Sequence, residues 1–169
     1  KLKRIAIVDT AVISIGFLIR ILIGGVVTET ILSQLIILMT FLLAMFLALA
    51  KRRDDVLIFI KTTEKPRKNV DGYNLEFLNA TMMITASVVI VTYIMYTMSV
   101  GQTGITDNGK NLYFTTFFVL IGIIRFLHLI MVKKRFGGPT KILVNDPFLM
   151  ILIFGWLITF DFLLYYMNL

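Results

Sequence analysis

The sequence contains no cysteine, which excludes both a disulfide frame and a thiolate metal site and leaves the redox compartment unmarked. Histidine is nearly as scarce: His128 is the only one, with no companion at metal-ligand spacing. Charge is sparse too. Charged residues make up 16% of the chain, short of the share of about a quarter usual in soluble domains. No internal repeat at solenoid spacing and no low-complexity tract is present. The glycines of "GQTGITDNG" follow no strand, so they mark a turn-rich loop and not a phosphate fingerprint.

What the chain has is apolar length. Hydrophobic residues reach 58%, and the mean hydropathy is +0.89. Five runs, near residues 5–27, 31–50, 77–100, 113–132 and 148–167, are long enough to cross a hydrocarbon core about 30 Å thick, which takes roughly 20 helical residues. They are continuous, not alternating, so the expected fold class is all-α, a polytopic transmembrane bundle of five helices forming one membrane domain over 1–169. The first run is no signal peptide. It carries Asp9 and Arg20 and ends without a small-residue cleavage pattern.

Cations orient the spans. Three clusters hold fourteen of the 17 Lys and Arg: Lys1, Lys3 and Arg4; Lys51, Arg52, Arg53, Lys61, Lys65, Arg67 and Lys68; and Lys133, Lys134, Arg135 and Lys141. If the helices alternate, all three lie on one face. The positive-inside rule then makes the N-terminus and the loops 51–76 and 133–147 cytoplasmic. The net charge of +7 is accounted for by this collar and its attraction to anionic headgroups, and no nucleic acid is needed to explain it. Asn79-Ala80-Thr81 matches a glycosylation sequon, but it falls on the cytoplasmic side and is discounted.

Polar residues within the spans stand out, because a charge in hydrocarbon costs at least about 2.5–3.5 kcal/mol. Arg20 follows Asp9 by eleven residues, about 16 Å along a helix. By depth Asp9 matches Arg125 near the inner surface and Arg20 matches Asp161 in the outer half, and for Arg20 and Asp161 an ion pair that fixes packing is the expectation. Asp9, Arg125 and His128 lie near the cytoplasmic ends, where they either line a polar cavity or snorkel.

Two loops complete the reading. In "LALAKRRDDVLIFIK" a break after residue 50 and a short surface helix over Lys51 to Lys61 are expected. The charges are either a solvated juxtamembrane run or a site where Asp54 and Asp55 hold Mg²⁺ against a diphosphate, since Mg²⁺ is usually held by one or two carboxylates, substrate phosphates and water. In "GGPTKILVNDPF" the glycines and Pro139 make a tight turn, and Asn145 or Asp146 before Pro147 suits a helix N-cap.

Four strings, "GFLIRILIGG", "FLALAKRRDD", "FFVLIGIIRFLHL" and "GGPTKILVNDPFL", resemble in order the C-terminal part of the UbiA superfamily, and within it the decaprenyl-phosphate phosphoribosyltransferase branch. The resemblance implies a fold of roughly nine helices with two aspartate-rich regions on the cytoplasmic side, of which these five helices are the last. It implies transfer of 5-phosphoribose from phosphoribosyl diphosphate to a polyprenyl phosphate, in an integral protein of a bacterial inner membrane. "KRRDD" then occupies the second aspartate-rich region. Asp54 and Asp55 would act on metal or ribose, Lys51, Arg52, Arg53 and Arg125 on phosphate, and Asp9 and His128 would line the cavity. Mg²⁺ is the implied cofactor. The first motif, of the form N-D-x-x-D-x-x-x-D, is absent from the chain, so upstream helices or a partner chain are expected and the polypeptide alone is expected to be inactive. The alternatives are a prenyltransferase of the same superfamily with an aromatic acceptor, against which the basic second region speaks, and a non-enzymatic helical membrane subunit.

Overall fold

The computed structural model describes residues 7–62, 73–102, 109–133 and 138–165. Among them there is no strand. The chain runs α1 (Val8–Val27), α2 (Gln34–Thr62), α3 (Leu75–Gln102), a 3-10 turn (Gly109–Phe114), α4 (Thr115–Met131), α5 (Pro139–Asn145) and α6 (Pro147–Tyr165). Four helices are long and apolar enough to cross a membrane, and α5 with α6 makes a fifth span if that pair, bent by 86°, is taken as one. The protein is therefore all-α and polytopic, as the apolar runs require. Lys1, Lys3, Arg4, Lys65, Arg67, Lys68, Lys134 and Arg135, on which the expected orientation leans, lie outside the described residues.

One boundary differs from expectation. There is no break at residue 50, because α2 continues as a single helix of 29 residues through the charged stretch. The reason is local. No glycine or proline occurs between Gln34 and Thr62, Lys and Arg are good helix formers, and Arg52 and Asp55 pair at i, i+3. At 1.5 Å per residue α2 is about 44 Å long, enough for its last turns to leave the hydrocarbon while still helical.

The chain divides into two compact units. The first comprises residues 1–89 with 137–139, and the second comprises 90–136 with 140–169. In the first, α1 packs along α2. Ser33 caps α2 by accepting the Ile36 N–H at 3.2 Å, and Asn74 caps α3 by accepting that of Glu76 at 3.2 Å. The core here is Phe46, Leu49, Val56, Leu78 and Met82.

In the second unit α4 packs on α6, and the 3-10 turn touches both. Gly155 makes the close approach possible, since a Cβ there would lie 3.0 Å from the Phe118 ring. The bend between α5 and α6 falls at Pro147, which lacks an N–H and disfavours helical geometry in the residue before it. Ile151, Phe154, Ile158 and Phe162 form an exposed apolar strip along α6, and α1 exposes Ile15, Phe17, Ile19 and Ile23. Surface of this kind is a liability in water and ordinary against lipid.

Candidate functional site

The charged turn of α2 is folded inward. Arg52 and Arg53 are 5% and 4% exposed, and burial on that scale is tolerable for a guanidinium only when it is paired. Arg52 Nε lies 2.6 Å from Asp9 Oδ2, an ion-pair contact outside hydrogen-bond geometry, and Nη1 donates to Asp55 Oδ2 at 2.9 Å. Arg53 Nε donates to Asn79 Oδ1 at 2.6 Å, so the amide of the discounted sequon is engaged within the protein. Asp54 Oδ2 accepts the Gly138 N–H at 2.9 Å. Gly138 has φ of +81°, a left-handed geometry that suits glycine in the turn before Pro139. Lys51 is exposed.

Asp9 is itself buried, in the first turn of α1, where the helix dipole favours a carboxylate. Its Oδ1 accepts the Tyr73 hydroxyl at 2.5 Å, and the same hydroxyl oxygen accepts the Ile7 N–H at 2.7 Å. Burial, and then the hydrogen bond to Asp9, push the Tyr73 phenol above its ordinary pKa, so it remains a donor. Ile7 stands at φ +75°, a conformation that costs a β-branched residue about 1–3 kcal/mol and persists only where its surroundings hold it.

Within the second unit, Arg125 makes a two-pronged contact with Asp146, Nη2 to Oδ2 at 2.9 Å and Nε to Oδ1 at 3.4 Å. Asp146 is 2% exposed and also accepts the Leu149 N–H at 3.2 Å, the helix cap expected of it. The Arg125 guanidinium lies 5.4 Å from the centre of the Phe148 ring. His128 is exposed in the last turn of α4. Deeper in the unit, Trp156 Nε1 donates to Tyr93 Oη at 2.7 Å, Tyr93 Oη meets Thr115 Oγ1 at 2.8 Å, and Thr115 donates to the Leu112 carbonyl at 2.6 Å. Thr115 has one proton, so Tyr93 is the donor between them. Arg20 and Asp161 are each exposed, Arg20 lying over the ring of Phe17, and neither has an ion pair among the described residues.

Of the residues singled out in the sequence, Asp9, Arg52 and Asp55 are therefore joined in one polar cluster in the first unit, the adjacent Arg53 and Asp54 bond Asn79 and Gly138, and Arg125 pairs with Asp146 in the second. Tyr73 and Asn79 had not been anticipated. Asn79 carried only the sequon signal, and Tyr73 carried none beyond being a tyrosine ahead of an apolar run. Among the described residues no three His, Asp or Glu side chains come together as a metal site. Asp55 is turned toward Arg52 and Asp54 Oδ2 toward the Gly138 N–H, and a carboxylate of this kind suits Mg²⁺ chemically.

No family model matches the chain. It is similar to proteins named decaprenyl-phosphate phosphoribosyltransferase. That of Corynebacterium glutamicum is 27% identical over 154 residues, covering 91% of this chain and 46% of the relative. That of Mycolicibacterium smegmatis is 27% identical over 171 positions, covering 98% and 53%, and that of Mycobacterium tuberculosis is 24% identical over 159, covering 94% and 51%. The chain thus spans about half the length of the curated relatives it matches. The resemblance to the decaprenyl-phosphate phosphoribosyltransferase branch, first read from four separated strings, extends along more than nine-tenths of the chain.

Proposed function

We propose that the complete protein carrying this chain transfers 5-phosphoribose from phosphoribosyl diphosphate to a polyprenyl phosphate. The observation that supports this most is the charged turn of α2, a buried and partnered set of cations and carboxylates on an otherwise apolar helix, in a chain similar over nearly its whole length to proteins so named. The bond from ribose C1 to the diphosphate oxygen breaks, and one from C1 to an oxygen of the lipid phosphate forms. Positive charge develops on the ribose while the departing diphosphate carries away the electron pair. The acceptor is already an anion and needs no general base. Catalysis therefore falls to positioning and to electrostatic stabilisation of the leaving group.

In this reading Lys51 and Arg53 hold the diphosphate. Asp54 would hold Mg²⁺, which would supply charge neutralisation at the leaving group. Arg125 belongs to the architecture of α4 and α6, since its guanidinium is already matched by Asp146. The exposed apolar faces suit the polyprenyl tail and the bilayer alike. The site faces the cytoplasm of a bacterial cell, beneath the basic loops. Further helices or a partner chain supply the first aspartate-rich motif, without which these 169 residues are inactive.

The test is an assay of the complete protein in lipid nanodiscs, offered phosphoribosyl diphosphate with polyprenyl phosphate in one arm and a prenyl diphosphate with an aromatic acid in the other. Phosphoribosyl-lipid formed in the first arm alone supports the reading. Product in the second arm alone replaces it with the aromatic prenyltransferase, and product in neither leaves the non-enzymatic subunit.

A further inference from the structure

Tyr73 has no part in the reaction as described above, yet its hydroxyl is bound into the site on two sides. Its hydroxyl makes two bonds, to the Ile7 N–H and to Asp9. Asp9 reaches Arg52, and Arg52 reaches Asp55. Four side chains from the start of α1, the last third of α2 and the residues before α3 thus form one relay. It ends beside Arg53 and Asp54 in the sequence.

The charges say what the relay does. Arg52 lies between two carboxylates, so a diphosphate approaching it meets a group that is negative on balance. That makes Arg52 a poor phosphate ligand and a good anchor. Asp55 lies on α2 itself and only orients the guanidinium, whereas Asp9 on α1 ties Arg52 to a second helix; that tie limits the rotation of α2 about its axis, and the rotation sets where Arg53 and Asp54 point. The left-handed backbone at Ile7 fits the same picture, because such a conformation is kept only where the structure over-determines it, and Tyr73 bonds its N–H directly.

We propose that Tyr73 is a positioning residue for the donor site: by holding Asp9, and through it Arg52, it fixes the turn of α2 from which Arg53 and Asp54 meet the diphosphate. The inference rests on the phosphoribosyl-transfer reading and adds to it a residue that touches no substrate. Tyr73→Phe keeps the ring and removes the hydroxyl. In the complete protein it raises KM for phosphoribosyl diphosphate about ten- to a hundredfold, as removing an orienting partner typically does, and leaves KM for the polyprenyl phosphate unchanged. Asp9→Asn has the same signature, and the double variant is no worse than the poorer single one, because both cut one relay.

A purely structural role would lower the amount of active protein, and so kcat, without moving either KM. A loss confined to kcat, equal rises in both KM values, or losses that multiply in the double variant overturn the inference. If Tyr73→Phe does not fold, Asp9→Asn alone decides by the same split between the two substrates. A wild-type protein that transfers phosphoribose while both variants bind donor normally defeats the inference alone. A wild-type protein that makes no phosphoribosyl-lipid defeats the functional reading and the inference with it.

Discussion

The two units solve the problem of a buried arginine in opposite ways. In the second, Arg125 meets one carboxylate, Asp146, in a two-pronged contact that also caps α6, and a run of hydrogen bonds passes from Trp156 through Tyr93 and Thr115 to the Leu112 carbonyl. Each donor along that run has its acceptor, and the arrangement packs helices. In the first, Arg52 is shared between Asp9 and Asp55, Arg53 rests on the neutral oxygen of Asn79, and Asp54 accepts from a backbone amide in a left-handed turn. The second unit closes its arginine on a single carboxylate, whereas in the first one guanidinium is shared by two carboxylates, and the neighbouring Arg53 and Asp54 also engage an amide oxygen and a backbone N–H.

The contrast can be broken most forcefully in the second unit. Asp146→Ala removes the cap and leaves Arg125 without its carboxylate, and breaking a largely buried pair in this way costs about 3–5 kcal/mol. Unfolding of the protein in detergent reads this directly, and a variant as stable as the wild type would remove the distinction between the units. Trp156→Phe is milder. It deletes one donor from the run, and membrane hydrogen bonds average about 0.6 kcal/mol, so a small loss of stability with donor binding untouched is expected.

The smallest effect sharpens the first unit. The folded-state pKa of Tyr73 is raised, so the neutral phenol contributes stability that is fully present below its ordinary value and is lost as pH rises through the folded value. Thermal unfolding followed across that alkaline range falls more steeply in the wild type than in Tyr73→Phe. Parallel curves would mean that the phenol is not held as described.

The apolar architecture was legible because run length alone decides whether a helix can cross a bilayer, and Asp146 was legible as a cap because Asn-Asp-Pro is a local signal. The unbroken α2 was also within reach. Its charges suggested a break, but a stretch free of glycine and proline from Gln34 to Thr62 had nothing to end the helix. The partners of Asp9 were not legible, since Tyr73 is 64 residues away and matching of depth can pair a carboxylate with any cation at that level. Nor was the shared role of Arg52, which depends on two carboxylates reaching one guanidinium from different helices.

The claim on which the account turns is that the charged segment of α2 binds the pyrophosphorylated donor. Equilibrium binding of phosphoribosyl diphosphate to the complete protein in nanodiscs, with and without Arg53→Gln, measures this without relying on turnover. Loss of a charge-assisted contact worth about 1.5–3 kcal/mol predicts affinity weaker by tenfold or more in the variant. Equal affinity in the two proteins would contradict it.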